Sequence, residues 1–300
     1  MQYAWLHWPR WLVALLYLVL AGCQMAPLAP LTLEASNTPL PYPVRFVLTF
    51  DDGPSLREDF NPTLSILRDL ADNPIQPSIK AIFFVQTRNP DAGGSARGRD
   101  ILHRAHSQGH LLGLHSASER GHMRHTSFTK DALAQQLANG IKDIRTITGA
   151  APALVRPPYW AFDDATLAAY QEFQLHMLLT DASANDGKTW GINISPRRRS
   201  HLRAELVRIR EDIRRGALPV VEGVVPVVVT FHDTNTYTAR HLREYLRILT
   251  EEAGKVDLPL AGKPFYDDRP QLLAAALQRS GSQASGARVP WPWSWLWGER

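Results

Sequence analysis

Two aspartates stand side by side in Thr49-Phe50-Asp51-Asp52-Gly53-Pro54-Ser55, and their chemistry depends on what else reaches them. Adjacent carboxylates cannot both face one way on a strand, so one can coordinate a cation while its neighbour stays free as a base. Further along the chain stand His115, His122 and His125, then Arg156-Pro157-Pro158-Tyr159, then Asp181 and Asp186, then Thr230-Phe231-His232-Asp233. A carboxylate, two imidazoles and an open position make one ligand set for a catalytic zinc. The single cysteine, Cys23, excludes an intramolecular disulfide, a Cys-cluster zinc site and an iron–sulfur centre.

These residues fall where strands should end. Residues 44–50 form a β-branched and aromatic run that reads as a buried strand. Further strands are expected at 79–85, 111–114, 153–156, 175–180 and 224–231. Leu133, Leu137, Ile141 and Ile144 make a helical stripe between a Thr129 cap and Gly149, and Leu202, Leu206, Ile209 and Ile213 make another. Tyr245, Leu246, Ile248 and Leu249 lie in a third helix and residues 272–277 in a fourth. Strands alternating with helices imply an α/β fold with a parallel sheet, whose functional residues gather at the C-terminal strand edge. The chain is 44% hydrophobic and 21% charged, unlike a disordered tail or a multi-span membrane protein. A net charge of +4 is too small to argue for nucleic acid, and no nucleic-acid partner is expected.

The ordered set resembles the polysaccharide deacetylase family, the NodB-homology carbohydrate esterases, over about residues 44–250. Thr49–Ser55 is the most specific piece, and Arg156-Pro-Pro-Tyr159 and Phe231-His-Asp-Thr234 add independent support. The resemblance implies a single-domain distorted (β/α) barrel and removal of N-acetyl groups from an amino-sugar polysaccharide. It implies zinc, or another divalent transition metal, as cofactor and an acetylated polysaccharide as partner. By the same resemblance Asp52 and His115 are metal ligands, Asp51 is the catalytic base, Arg156 orients that base and His232 is the general acid. Tyr159 matches the position whose backbone N–H helps to bind the oxyanion. An O-acetyl esterase acting on xylan or another glycan is the first rival, and a carbohydrate-binding lipoprotein without catalysis is the second.

Two departures from the family pattern matter. The family places its two ligand histidines four residues apart, but the fourth residue after His115 is Glu119. His122 is expected to ligate instead, provided that residues 116–121 loop out. Gly121 permits such a loop, and the register to the Thr129 cap supports it. Glu119 is the second choice and His125 the third. The family's aspartate pair ending in Asp-Trp survives only as Asp181-Ala-Ser-Ala-Asn-Asp186-Gly, and Asp186 is preferred to Asp181 as the partner of Arg156.

Residues 1–22 read as a secretion signal, with Arg10 before an apolar run that is short for a membrane-spanning helix. Leu20-Ala21-Gly22-Cys23 looks like the lipobox of bacterial lipoproteins, which makes Cys23 the expected lipidation site. A lipid anchor in the membrane follows, in the cell envelope and with Gln24 hinting at the outer membrane facing the periplasm. Cys23 and the proline-rich residues to 43 read as a tether, 44–280 as the catalytic domain, and 281–300 as a linker with a tail carrying Trp291, Trp293, Trp295 and Trp297. His103, His106 and His110 read as surface or capping residues. The arginines of 197–215 read as the solvated face of an amphipathic helix.

Overall fold

A computed structural model describes residues 40–186, 195 and 197–282. Cys23 and the tail tryptophans lie outside the described residues. The strands are β1 (Val44–Asp51), β2 (Ile82–Gln86), β3 (Leu111–Ser116), β4 (Leu154–Val155), β5 (His176–Met177), β6 (Ala182–Ser183), β7 (Val225–His232) and β8 (Leu260–Phe265). The helices are α1 (Pro62–Ala71), α2 (Ala96–Ser107), α3 (Lys130–Thr148), α4 (Asp164–Glu172), α5 (Arg198–Arg214), α6 (Thr236–Lys255) and α7 (Arg269–Ser282).

All pairings within the sheet are parallel, in the order β5-β4-β3-β2-β1-β7-β6. β1 carries a third neighbour: β8 pairs with it at Val44 and Phe46, and β2 pairs with it from Thr49 to Asp51. The sheet curls into a distorted (β/α) barrel, with β5 and β6 as the two ends of the pairing order.

Period-two alternation sorts the residues of β1 and β7. Val44, Phe46, Leu48 and Phe50, with Val225, Val227, Val229 and Phe231, join the larger apolar cluster, which includes buried residues of α1, α3, α5 and α6. The intervening Val47 and Val228 join a second cluster, plugged by Leu272, Ala275 and Ala276 of α7. Above Val47 on the same face come Thr49 and Asp51, and above Val228 come Thr230 and His232. The inner column of the barrel is thus apolar at the α7 end and becomes polar where the strands finish.

The expected strands and the four helical stripes appear with boundaries shifted by a few residues. β8 escapes prediction because Gly262, Lys263 and Pro264 interrupt it. His110 is a correction: it is 1% exposed, and its Nδ1 accepts from the Ala81 N–H at 3.1 Å. The arginines of α5 are largely engaged by carboxylates, Arg198 by Glu244 and Arg199 and Arg203 by Glu252 of α6.

Candidate active site

β1 ends at Asp51, where its Cα lies level with Phe84 of β2 and His232 of β7. Asp52 then takes a left-handed φ of 77°, which aspartate tolerates better than most residues. That break in the alternation lets both carboxylates serve one site. The turn is fixed from β2: Gln86 Nε2 donates to the Asp52 carbonyl at 2.9 Å and its backbone N–H to the Gly53 carbonyl at 3.0 Å. Gly53 is required by crowding, since a Cβ there would lie 2.0 Å from Asp233 Oδ2. Asp233 accepts from Thr63 Oγ1 at 2.8 Å, and burial pushes its carboxyl up to about 7.

Asp52, His115 and His122 converge. His115 Nε2 and His122 Nε2 lie 3.2 and 3.4 Å from Asp52 Oδ1 and 2.9 Å from each other. His115 Nδ1 is 2.8 Å from the Arg156 carbonyl, which can only accept, so Nδ1 carries a hydrogen there and Nε2 is the ring nitrogen that faces Asp52 and His122. Burial pushes His122 down to about 4, which keeps it neutral near pH 7. Burial also pushes the Asp52 carboxyl up, but the His115 ring beside it and the charge of His232 outweigh it and hold the group well below the usual carboxylate range. Among the described residues the enclosed Asp52 Oδ1 has no hydrogen-bond partner. Tetrahedral bonds of about 2.1 Å to a metal place ligand atoms about 3.4 Å apart, so the three donors fit a divalent cation.

The loop that carries His122 leaves β3 after Ser116. Ser116 Oγ donates to the Gly121 carbonyl at 2.8 Å, and Gly121 adopts φ 82°. This loop brings His122 back beside His115, seven residues earlier. Glu119 points into solvent, and His125 is buried with Nδ1 2.6 Å from the Tyr170 hydroxyl; neither joins the cluster. His122→Ala is expected to reduce zinc affinity sharply while Glu119→Ala keeps stoichiometric metal, as equilibrium dialysis with metal analysis would read. An empty Glu119 variant would reverse the ligand assignment.

Arg156 is fully buried. Its Nη1 donates to Asp51 Oδ1 at 2.9 Å and Thr49 Oγ1 at 2.7 Å, and its Nε donates to the Leu178 carbonyl at 2.8 Å. Its guanidinium lies 4.2 Å from the Phe84 ring centroid and 5.2 Å from that of Trp160. Asp186 does not pair with Arg156, which corrects the expectation from sequence. Its carboxylate accepts from His232 instead, at 2.8 Å from Nδ1 and 2.9 Å from the backbone N–H, and Thr238 Oγ1 donates to it at 2.5 Å. Burial alone would lower His232, but the Asp186 carboxylate, with Asp52 and Asp51 beyond it, raises the imidazole to about 10. Asp181 acts on Arg156 only through its charge: its carboxylate accepts the Val228 N–H at 2.8 Å and pairs with Arg279 of α7. Thr49 and Thr238 were missed from sequence, although Thr49 is two residues before Asp51 and therefore on its face of β1.

The motif order, the ligand triangle and the protonated histidine allow comparison with known proteins. Residues 43–178 match the polysaccharide deacetylase family. The deacetylase match spans Asp51, Asp52, His115, His122, Arg156 and Tyr159, whereas Asp186 and His232 fall after it and join the site through the fold. A chitin deacetylase of Arthroderma benhamiae is 29% identical over 141 residues, 46% of this chain and 34% of that protein. A peptidoglycan-N-acetylglucosamine deacetylase of Bacillus cereus is 30% identical over 112 residues, 37% of this chain and 35% of that one. The chain thus matches about a third of the length of these relatives. Among solved structures, the chitin deacetylase of Colletotrichum lindemuthianum superposes with a TM-score of 0.53 at 22% identity, covering 76% of this chain and 95% of that one. The family 4 carbohydrate esterase of Streptomyces lividans gives 0.51 at 20% identity, covering 73% and 93%. The fold is that of these two structures.

Proposed function

We propose that the protein is a metal-dependent hydrolase that removes N-acetyl groups from an amino-sugar polysaccharide such as peptidoglycan, a chitin-like polymer or poly-N-acetylglucosamine. The observation that carries this reading is the Asp52–His115–His122 triangle lying beside an Arg156-bound carboxylate and an Asp186-bound histidine. Zinc, or another divalent transition metal, held by those three residues would supply a Lewis acid for the acetamide carbonyl and lower the pKa of water there. Asp51, held in place by Arg156, takes a proton from the attacking water. The Tyr159 backbone N–H donates to the developing oxyanion. An amine leaves poorly as an anion, and the His232 imidazolium, kept charged by Asp186, donates the proton that the departing nitrogen needs.

That last requirement favours amides, since a sugar alkoxide is an easier leaving group than an amide nitrogen. Acetate release should be measured on N-acetylglucosamine oligomers, peptidoglycan and acetylxylan. Release from the amide-linked substrates supports the proposal. Release from acetylxylan alone would make the protein an ester hydrolase, and binding without release would make it a carbohydrate-binding protein.

We propose further that Cys23 is acylated, which would anchor the enzyme in the cell envelope, at the outer membrane facing the periplasm. The Leu20-Ala-Gly-Cys23 string supports this reading, and several acyl chains on one residue hold a membrane where one does not. Cys23→Ser is expected to release the protein from the membrane fraction, whereas deletion of 291–297 should have a smaller effect. A Cys23→Ser protein that stays membrane-bound would transfer anchoring to another segment.

A further inference from the structure

A metal ligand on a loop poses a problem that a ligand on a strand does not. His115 is 3% exposed at the end of β3, and hydrogen-bonded neighbours fix its ring. The His122 side chain is 28% exposed, and the residue belongs to no strand or helix. Something else must hold its ring at the angle that brings Nε2 to within 2.9 Å of its partner.

The Tyr159 ring lies against it. The two centroids are 4.3 Å apart with 23° between the planes, and the far partner His115 stacks on His122 at 4.8 Å and 29°. The guanidinium of Arg124 lies over the same tyrosine, 5.1 Å from its centroid. His122 and Arg124 are two residues apart, with Arg124 in extended backbone at φ −60° and ψ 130°. Both take hold of one ring, and the loop is fastened to Tyr159 at two points.

Tyr159 reaches this position through an unfavourable backbone. It has φ 57° and ψ 18°, and Trp160 follows with φ 57°. Two consecutive residues with side chains in the left-handed region are sparsely populated unless their surroundings impose them. The kink places the Tyr159 ring on His122 and the Trp160 ring over Arg156.

We propose that Tyr159 and Arg124 are positioning residues for the metal ligand His122, acting through the aromatic stack and the cation–π contact. This role is separate from that of the Tyr159 backbone N–H, and it rests on the reading of Asp52, His115 and His122 as a metal site. Aromatic stacking and guanidinium–ring contacts are each modest in water, but a ligand held by them before the metal arrives loses less freedom on binding.

Zinc affinity of the full chain, measured by competition with a chromophoric chelator, tests the idea. Partners that orient a ligand are worth about 10–100-fold in metal affinity, and Tyr159→Leu should lose that much while Tyr159→Phe, which keeps the ring, stays near wild type. Arg124→Ala should weaken affinity by a smaller factor. It removes a half-buried side chain, so it tests the idea even if Tyr159→Leu fails to fold. The metal-free protein gives an independent reading: ring currents from Tyr159 should shift the carbon-bound protons of His122 upfield by NMR, and Tyr159→Leu should reduce that shift to the part left by the stacked His115 ring. Tyr159→Leu or Arg124→Ala that binds zinc as tightly as wild type would overturn the assignment for that residue. If the wild-type chain takes up no zinc, the metal reading itself has failed, and unshifted His122 protons in the metal-free wild type would overturn the stack as well.

Discussion

Asp51→Asn is expected to lower turnover by about 10²–10⁴-fold, the usual contribution of a positioned general base, while the protein still binds its full complement of zinc. Asp52→Asn is expected to lose metal and activity together. The two residues are chain neighbours with carboxylates in different surroundings. Asp51 is 3% exposed and bound to the Arg156 guanidinium at 2.9 Å, while Asp52 faces two imidazole nitrogens at 3.2 and 3.4 Å. Metal content and acetate release, measured on the same preparations, separate the roles; equal metal loss in both variants would show that the pair is wrongly divided. Thermal unfolding is the necessary control. Removing one partner of a buried ion pair costs about 3–5 kcal/mol when the other charge is left bare. The asparagine amide oxygen can still accept from Arg156, and Thr49 Oγ1 and the Leu178 carbonyl remain. The stability loss of Asp51→Asn should therefore fall below that range.

Asp186→Asn is the second large effect. Its carboxylate is the foremost group raising His232 to about 10 against the effect of burial. Without it, the alkaline limb of kcat/KM should move down by about 1–3 pH units, the usual influence of an adjacent opposite charge, so that activity falls steeply at mildly alkaline pH, where the imidazole loses its proton, and much less near neutral pH. The pair also links stability to pH. Because the folded value lies above the ordinary imidazole value of about 6.5, the contribution is fully present below pH 6.5 and is lost as pH rises toward 10. In Asp186→Asn this alkaline loss should be smaller and end at lower pH in the unfolding profile. An unchanged alkaline limb in the variant would remove Asp186 from the proton-donating half of the site.

The residues of the site were legible in the sequence because strand ends are. Asp51, His115, Arg156 and His232 each follow an apolar run that a buried parallel strand explains, and the motif order supplied the rest. What the sequence could not supply was the pairing across the barrel mouth. Asp186 lies 46 residues before His232, and nothing local distinguishes that partner from Arg156. The contact follows from β6 lying beside β7, and β6 is only two residues long. His122 was reachable by counting back from the Thr129 cap, but its support from Tyr159 was not, since the left-handed dipeptide that aims the ring has no glycine to announce it.

The pairing of β1 bears on how the chain must fold. Along its whole length β1 lies against β7, from Val44 opposite Val225 to Asp51 opposite His232, a separation of about 180 residues. β8, the other neighbour of its first half, comes later still. A chain emerging N-terminus first therefore makes its central strand early and leaves that strand's edge uncovered until about 180 further residues have appeared. Closing so long a loop before its contacts form slows folding, and an open apolar edge invites pairing with other chains meanwhile. The residue that donates the proton in the proposed reaction sits on the strand that finally covers that edge, so the site becomes complete only when the central strand is sealed.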